Sequence, residues 1–198
     1  MDYNFYAMMS RMKYIDRWAL MRNSRNENIC EHSLEVSILA HALAVISNTR
    51  LGNSLNVEKA ALIALYHDAS EIITGDMPTP IKYYNNDIKD AFKEVEDIAN
   101  TKLLDMLPED IRASYNSIFF KDPADEYLWK LVKAADRLSA LIKCIEEEHS
   151  GNREFISAEA SIRTSIEASN LPEVNIFMEE FLPSYGKTLD QLNPPITH

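Results

Sequence analysis

The 198-residue sequence predicts an all-α protein, because apolar residues recur at helical spacing along nearly the whole chain. Segments in which apolar and polar residues alternate, as they do in half-buried strands, are missing. Glycines and prolines fall between the helical segments, where proline cannot donate to a helical hydrogen-bond ladder. We therefore expect one domain over residues 1–198, in which packed helices surround a central site.

In the first third of the chain, three helices are predicted. The first covers 2–13 and turns Tyr6, Met9 and Met12 inward, and a polar, arginine-rich connection over 17–31 follows it. The second begins around Glu31 and carries a face at three- and four-residue spacing, which consists of Leu34, Ile38, His41, Ala42 and Val45. The third opens at Asn56, whose side chain suits an N-cap, and runs through His67.

The remaining helices are separated by clear breaks. Gly75, Pro78 and Pro80 predict a loop, and a long helix over 86–106 follows it. Pro108 opens a short helical turn, and the helix over 125–148 would bury Leu128, Leu131, Val132, Ala135, Leu138, Ile142 and Ile145. Beyond Gly151 we expect one helix through Phe155, Ile162 and Ile166 and a last one from Pro172 through Phe181.

Composition excludes several classes of protein. The net charge of −11 opposes binding to a nucleic acid polymer or to an anionic membrane, both of which require clustered Lys and Arg. With four glycines, the chain has no G-x-G-x-x-G motif, P-loop or nucleophile elbow. Cys30 and Cys144 are solitary, which indicates a reducing compartment. Without a leader pattern or an apolar stretch near the ~20 residues of a membrane helix, we expect a cytoplasmic protein.

The segment Tyr66-His67-Asp68-Ala69-Ser70-Glu71 carries the strongest chemical signal. Glu71 follows His67 by four residues and Asp68 by three, so on a helix the three side chains share a face. Imidazole and carboxylate ligands suit a divalent metal ion such as zinc, manganese or cobalt. Two adjacent ligands are too few, so a metal site needs partners from elsewhere in the chain.

Two residues outside this segment are candidate partners. His32 lies at the opening turn of a helix whose remaining face is apolar. Asp136 lies one residue from the buried stripe of the 125–148 helix, where a carboxylate needs a cation or hydrogen bonds to offset its desolvation. An alternative for Asp136 is a buried ion pair with an arginine such as Arg25.

The order His32, His67-Asp68, Asp136 resembles the HD-domain superfamily of metal-dependent phosphohydrolases. Closer similarity to the bacterial 5′-deoxynucleotidase branch comes from Arg17-Trp18, Glu27-Asn28, Glu31-His32-Ser33, His67-Asp68-Ala69-Ser70-Glu71 and Gly75-Asp76-Met77-Pro78-Thr79-Pro80. The resemblance covers about residues 5–145, and the helices over about 151–190 carry no diagnostic motif. It implies hydrolysis of deoxyribonucleoside 5′-monophosphates to deoxynucleosides and phosphate, and a homodimer.

The resemblance also implies roles for individual residues. His32, His67, Asp68 and Asp136 would hold one divalent ion such as cobalt, manganese or zinc. Glu71 would orient and deprotonate the attacking water. Arg17 would bind and orient the phosphate, because its planar fork matches phosphate oxygens.

The remaining substrate contacts follow from the same resemblance. Trp18 would offer a flat face to the sugar or base. Asp76 would accept a hydrogen bond from the sugar 3′-hydroxyl, and the loop of Asp76, Met77, Pro78 and Thr79 would crowd the 2′ position. His32, Asp68 and Asp136 would reach the substrate as well as the metal. Taken alone, Trp18 is more typical of a core anchor, and Asp76 and Thr79 of ordinary turn residues.

Two other functions are compatible with the sequence. One is an HD-superfamily hydrolase of another nucleotide, such as a nucleoside triphosphate or a guanosine polyphosphate. The other is a non-catalytic module in which the ion only ties helices together, which predicts a closed coordination shell.

Overall fold

The structure is a computed structural model that describes residues 2–82 and 84–193. It confirms the all-α class, and the helices of the described residues are α1 (Phe5–Met9), α2 (Ile29–Leu51), α3 (Val57–Tyr66), α4 (Glu71–Thr74), α5 (Thr79–Lys82), α6 (Asn86–Leu104), α7 (Glu109–Arg112), α8 (Asn116–Phe119), α9 (Glu126–His149), α10 (Ile156–Glu167), α11 (Pro172–Glu180) and α12 (Leu189–Leu192). Short 3-10 helices lie at Ser10–Tyr14, Ala113–Tyr115, Pro123–Asp125 and Leu182–Gly186. A two-stranded sheet joins β1 (Asp16–Arg17) to β2 (Glu27–Asn28).

Helix α2 lies at the centre of the fold, packed against α3 and α9. It begins at Ile29, where the Asn28 side chain accepts hydrogen bonds from the amides of Cys30 and Glu31 at 3.0 Å each. Asn56 caps α3 in the predicted way and accepts from the Lys59 amide at 2.8 Å. The two caps fix where the helices of the site start.

The predicted inner face of α2 is wrong. Leu34 and Ile38 are 57% and 62% exposed, and the buried face instead consists of Ile29, His32, Ser33, Val36, Leu39, Ala40, Leu43, Ala44, Ile46 and Ser47. Apolar residues lie all round this helix, so their spacing alone does not select the face that meets α3 and α9.

By length and composition, α2 is also the one helix among the described residues that could cross a membrane, contrary to the expectation that no apolar stretch approaches that length. Half of its apolar window is buried inside the protein. Because α2 packs on α3 and α9 and carries a buried histidine, it is the central core helix of this fold.

Two other predictions differ from the structure near the N-terminus. The predicted helix over 2–13 is α1 followed by a 3-10 helix, and the change of period buries Phe5 and Met12 while Tyr6 stays 58% exposed. The connection over 17–31 contains the β1–β2 ladder, which pairs Arg17 with Glu27. Its strands are two residues long, too short to show alternation in the sequence.

The second half follows the prediction more closely. All seven residues expected to be buried in the 125–148 helix are buried in α9, and α10 and α11 lie where they were expected. Helix α12 was missed, since the α11 segment was expected to be the last helix. The six longest helices run over segments that the sequence assigned to helix, because these have strong periodicity and recognisable ends.

The loop between β1 and β2 is anchored to the C-terminal end of α9. Glu147, 1% exposed, forms an ion pair with Lys143 and accepts a hydrogen bond from the Ser24 amide at 2.8 Å. Lys143 donates to the carbonyl of Arg25 at 2.6 Å. These contacts hold the far end of the loop that begins at Arg17 and Trp18.

Candidate metal centre and active site

The structure brings together the histidines and aspartates that the sequence predicted to converge. The Nε2 atom of His32, on α2, lies 3.1 Å from Oδ1 of Asp136, on α9, and 3.4 Å from Oδ2 of Asp68. That Oδ2 atom lies 3.2 Å from Nε2 of His67. The candidate ligand atoms of His32, His67 and Asp68 all lie within 4.8 Å of one another. The alternative partner for Asp136, Arg25, instead lies near Glu31, at 3.8 Å.

Asp68 and Glu71 do not lie on the helix that the sequence predicted for them. Helix α3 ends at Tyr66 with His67 as its C-cap, and Glu71 begins α4 after a turn. The amide of His67 donates to the carbonyl of Ala64, a three-residue step that tightens the end of α3. The turn is held in place by Ala69, which is fully buried against α1, α6 and α8 residues.

Both histidines present a buried ring nitrogen to the carboxylates. Nδ1 of His67 lies 2.6 Å from the carbonyl of Ala64, which can only accept, so this nitrogen carries a proton and Nε2 is the atom that could coordinate a cation. The Nε2 atoms of His32 and His67 are buried, and neither has a hydrogen-bond partner among residues 2–82 and 84–193. Two such nitrogens beside two carboxylates fit a divalent cation of the zinc, manganese or cobalt type.

The charges of the cluster are strongly coupled. Burial, with the Arg17 guanidinium, lowers the pKa of His32 and keeps its imidazole neutral, as a metal ligand must be. Burial would raise the pKa of Asp68 and of Asp136, but the facing histidines lower both, so the two carboxylates stay ionised. Burial alone would lower the pKa of His67, but the carboxylates of Asp68 and Asp136 raise it to about 9, so this imidazole is protonated where no cation balances them. A cation held by the cluster would take the place of that proton.

Glu71 is a buried carboxyl group beside this negative charge. It is 7% exposed, and its Oε2 atom is buried without a hydrogen-bond partner in the described part of the chain. Burial and the neighbouring Asp68 and Asp76 carboxylates raise the pKa of Glu71 to about 10. A carboxyl group with this environment is typical of acid–base residues in active sites.

Arg17 reaches the cluster from the β1 strand. Its Nη1 atom donates to Oε2 of Glu27 at 3.0 Å and lies 2.8 Å from Nδ1 of His32, and its Nη2 atom lies 3.8 Å from Oδ1 of Asp136. Burial alone would lower the pKa of Arg17, but the carboxylates of Glu27 and Asp136 raise it. The guanidinium is the positive charge that an anionic substrate requires next to so many carboxylates.

Trp18 adopts a backbone conformation that is rare for a bulky residue, with φ at 57°. Its Nε1 atom donates to Oε2 of Glu27 at 3.1 Å, and its ring packs edge-on against Phe155 at 5.3 Å between centroids. Asn23 donates to its carbonyl at 3.2 Å. Trp18 is thus anchored on one side, and its half-exposed ring lies next to Arg17.

The loop between α4 and α5 carries the other predicted substrate residues. Asp76 is near enough to the cluster that it interacts electrostatically with Arg17 and Asp68, and burial raises its pKa. Met77 and Pro78 are half-buried, and Thr79 is exposed at the start of α5. No hydrogen bond links these three to the cluster within the described residues, so their substrate contacts stay predictions.

Three residues of the site were given no role by the sequence analysis. Glu27 accepts from both Arg17 and Trp18, and Ser139 lies 3.0 Å from Nδ1 of His32 and donates to Glu35 at 2.5 Å. Glu35 follows His32 by three residues and Ser139 follows Asp136 by three. The helical i,i+3 rule, applied to the candidate ligands, would have found both.

The fold is that of the HD-domain phosphohydrolases, and its histidine–aspartate cluster fits a divalent metal ion. A structure of such a phosphohydrolase from Listeria innocua aligns with a TM-score of 0.78 and 23% identity, over 92% of this chain and 88% of that one. The cyanophage S-2L HD phosphohydrolase DatZ, solved with dA and one catalytic Zn²⁺ ion, aligns with a TM-score of 0.63 and 18% identity, over 90% of this chain and 96% of that one. At these identities the likeness concerns the fold.

Sequence similarity specifies the family. The model of the 5′-deoxynucleotidase YfbR-like family matches residues 4–185. The 5′-deoxynucleotidase of Erwinia tasmaniensis is 47% identical over 190 residues, and 5′-deoxynucleotidase YfbR of Escherichia coli is 46% identical, each over 96% of both chains. The chain belongs to the YfbR-like 5′-deoxynucleotidase family, and it is a phosphoric monoester hydrolase.

We expect Glu27→Gln to lower kcat/KM about tenfold, equivalent to about 1.4 kcal/mol of transition-state stabilisation. The amide keeps the size of the side chain but removes the charge that strengthens the hydrogen bonds from Arg17 and Trp18. Steady-state kinetics on a deoxyribonucleoside monophosphate measure the effect. Glu154→Gln is the matched control, because Glu154 pairs with the 90% exposed Arg22. Equal kcat/KM for the two variants would show that Glu27 does not position Arg17.

Proposed function

We propose that this enzyme hydrolyses deoxyribonucleoside 5′-monophosphates to deoxynucleosides and phosphate at the cluster of His32, His67, Asp68 and Asp136, with one divalent metal ion. The observation that carries the proposal is that the Nε2 atoms of His32 and His67 are buried without a hydrogen-bond partner among the described residues and face carboxylates. Arg17, whose side chain is 12% exposed, lies beside them. The specificity for the deoxynucleotide is supported by the family to which the chain belongs.

The ligand set of two imidazoles and two carboxylates suits cobalt, manganese or zinc, and the geometry does not select among them. His32, His67, Asp68 and Asp136 would hold the ion, and four such ligands would leave room for water and a phosphate oxygen. When bound, such an ion polarises the phosphoryl group and lowers the pKa of a coordinated water towards neutrality.

Arg17 would bind the phosphate group of the substrate. Its guanidinium is held by Glu27 next to Asp136, so its remaining N–H groups can donate to phosphate oxygens. The ion pair with Glu27 orients the Arg17 guanidinium before substrate binds. The positive charge of the guanidinium stabilises the charge that develops on the transferring phosphoryl group.

Glu71 would accept a proton from the attacking water. Its raised pKa reflects burial and repulsion from Asp68 and Asp76. Glu71 loses much of this repulsion when Asp68 is neutralised by a bound cation, and its carboxylate can then act as general base. The water oxygen bonds to phosphorus, the bond from phosphorus to the 5′-oxygen breaks, and that oxygen receives a proton as the deoxynucleoside leaves.

The sugar and base would lie between Trp18 and the α4–α5 loop. Asp76 would accept from the 3′-hydroxyl, and Met77, Pro78 and Thr79 would form the wall that crowds a 2′-hydroxyl. A merely apolar wall excludes an added hydroxyl poorly, so discrimination needs a rigid polar loop. Pro78 and Pro80 supply that rigidity.

Stripping the protein with chelator should abolish phosphate release, and cobalt, manganese or zinc added singly should restore it. The restored enzyme should release phosphate from dAMP at least tenfold faster than from AMP, and it should not act on 3′-monophosphates. A phosphate assay across deoxy- and ribonucleoside monophosphates measures this. Equal rates on dAMP and AMP would contradict the proposed specificity for deoxynucleotides. Full activity after treatment with chelator would contradict the proposed metal requirement.

Glu71→Ala should lower kcat by roughly 10²- to 10⁴-fold, the range of a lost general base, while the affinity for Mn²⁺ stays within a few-fold. Kinetics combined with a Mn²⁺ titration separate the two effects. Glu94→Ala, an exposed glutamate on α6, is the control. Unaltered turnover in Glu71→Ala would assign the general base to another residue.

We also propose that the chain works in the cytoplasm as a homodimer, as the resemblance implies. Leu34 and Ile38 share a face of α2 by their spacing, and Leu62 on the adjacent α3 is 43% exposed. The sequence predicted Leu34 and Ile38 to be buried, and a second copy of the chain would bury them. An apolar face on a central helix is typical of such an interface.

Ile38→Glu should convert the dimer to a monomer, because a buried carboxylate at the interface has no partner. Multi-angle light scattering on the eluted protein measures the mass directly. Leu189→Glu, at an exposed leucine of α12, should leave the mass unchanged. A wild-type protein with the mass of one chain would contradict the dimer, and an unaltered dimer in Ile38→Glu would place the interface elsewhere.

A further inference from the structure

Behind His32, away from the candidate metal position, lies a short chain of hydrogen bonds. Nδ1 of His32 lies 3.0 Å from Oγ of Ser139, and this hydroxyl donates to Oε2 of Glu35 at 2.5 Å. His32 and Ser139 are both 0% exposed. We propose that Ser139 and Glu35 are positioning residues that hold the proton of His32 on Nδ1 and so keep Nε2 available to the metal ion. The inference rests on the metal site of the proposed function.

The direction of the hydrogen bonds follows from the chemistry of the three groups. The hydroxyl of Ser139 donates its single proton to Oε2 of Glu35, which accepts it. The lone pairs of Ser139 then accept a proton from Nδ1 of His32. A neutral imidazole carries one proton, so Nε2 keeps the lone pair that coordinates a cation.

Arg17 favours the opposite tautomer. Its Nη1 atom lies 2.8 Å from the same Nδ1 atom and can only donate. With the proton on Nε2, His32 accepts from Arg17, and its N–H group faces the Oδ1 atom of Asp136, 3.1 Å from Nε2. Each tautomer of His32 therefore has its own partners: Arg17 and Asp136 for the proton on Nε2, and Ser139 with Glu35 for the proton on Nδ1.

The choice of tautomer couples the metal to Arg17. Coordination through Nε2 requires the imidazole proton to lie on Nδ1. At that position the proton repels the N–H group of Arg17. Arg17 then keeps Glu27 as its acceptor, and the N–H group that faced His32 turns to the phosphate. Ser139 and Glu35 stabilise the tautomer in which both the metal site and the phosphate site are ready.

Comparison with His67 shows why the tautomer of His32 depends on Ser139 and Glu35. The Nδ1 proton of His67 is fixed by the carbonyl of Ala64 at 2.6 Å, a backbone group that cannot donate. Nδ1 of His32 instead has two side chains within hydrogen-bond distance, the donor Arg17 and the hydroxyl of Ser139, and Oε1 of Glu27 lies 4.0 Å away. Only a carboxylate behind the hydroxyl makes Ser139 an acceptor towards the ring.

Ser139→Ala should weaken the binding of Mn²⁺ to metal-stripped protein about ten- to a hundredfold, the usual effect of losing an outer partner of a ligating histidine. Competition with a chelator measures the dissociation constant without any assay of activity. Ser47→Ala is the matched control: Ser47 is also 0% exposed and donates to a buried glutamate, Glu173, at 2.6 Å, on the same α2 helix as His32. The control should lose a similar amount of stability and keep its Mn²⁺ affinity.

Glu35→Ala provides a second test at a less buried position. It leaves the hydroxyl of Ser139 free to donate to Nδ1, so Mn²⁺ affinity should fall in the same direction. Because both residues act through one chain of hydrogen bonds, adding Glu35→Ala to Ser139→Ala should weaken binding no further. An additional loss in the double variant would overturn the relay.

The ¹⁵N shifts of the His32 ring report its tautomer directly. In Zn²⁺-loaded wild type, Nδ1 should carry the proton. In metal-free protein, Ser139→Ala should shift the ring towards the Nε2-protonated form. A wild type that binds no ion would defeat the metal site itself. Ser139→Ala with wild-type Mn²⁺ affinity would defeat only the role given to Ser139 and Glu35.

Discussion

The site depends on two ionised carboxylates held against the imidazoles of His32 and His67. Asp68 and Asp136 approach His32 from different segments, and the histidines hold the pKa of both carboxyl groups down against burial. Such an arrangement is costly without a cation to balance it. The packing of α2 against α3 and α9 supplies the stability that keeps these groups together.

The sequence was sufficient to predict the cluster but not all of its surroundings. His32, His67-Asp68 and Asp136 could be singled out because each combines a ligating side chain with an apolar helix or a recognisable motif. The turn at His67 could not be predicted, since the same residues suit a continued helix. In the structure α3 ends at Tyr66, and Ala69 is buried against residues of α1, α6 and α8. The exposed side of α2 was misread because apolar residues surround that helix.

Residues that act through other residues were the hardest to find. Ser139 and Glu35 carry no motif, and their role exists only because α2 and α9 pack side by side. Glu27 gains its role from the register of a two-residue ladder, which no periodicity reveals. The candidate metal ligands can thus be found from local sequence. The residues that orient these ligands or Arg17 can be found only from the tertiary contacts.

The left-handed backbone of Trp18 has a consequence for the engineering of this enzyme. A bulky side chain at φ 57° stores conformational energy that the Glu27 hydrogen bond, the Asn23 hydrogen bond and the Phe155 contact must offset. Glycine would relax the main chain at this position, so a screen for thermostable variants would favour Trp18→Gly. The same replacement would delete the indole, so a more robust scaffold would be obtained at the expense of the ring that we propose to contact the substrate.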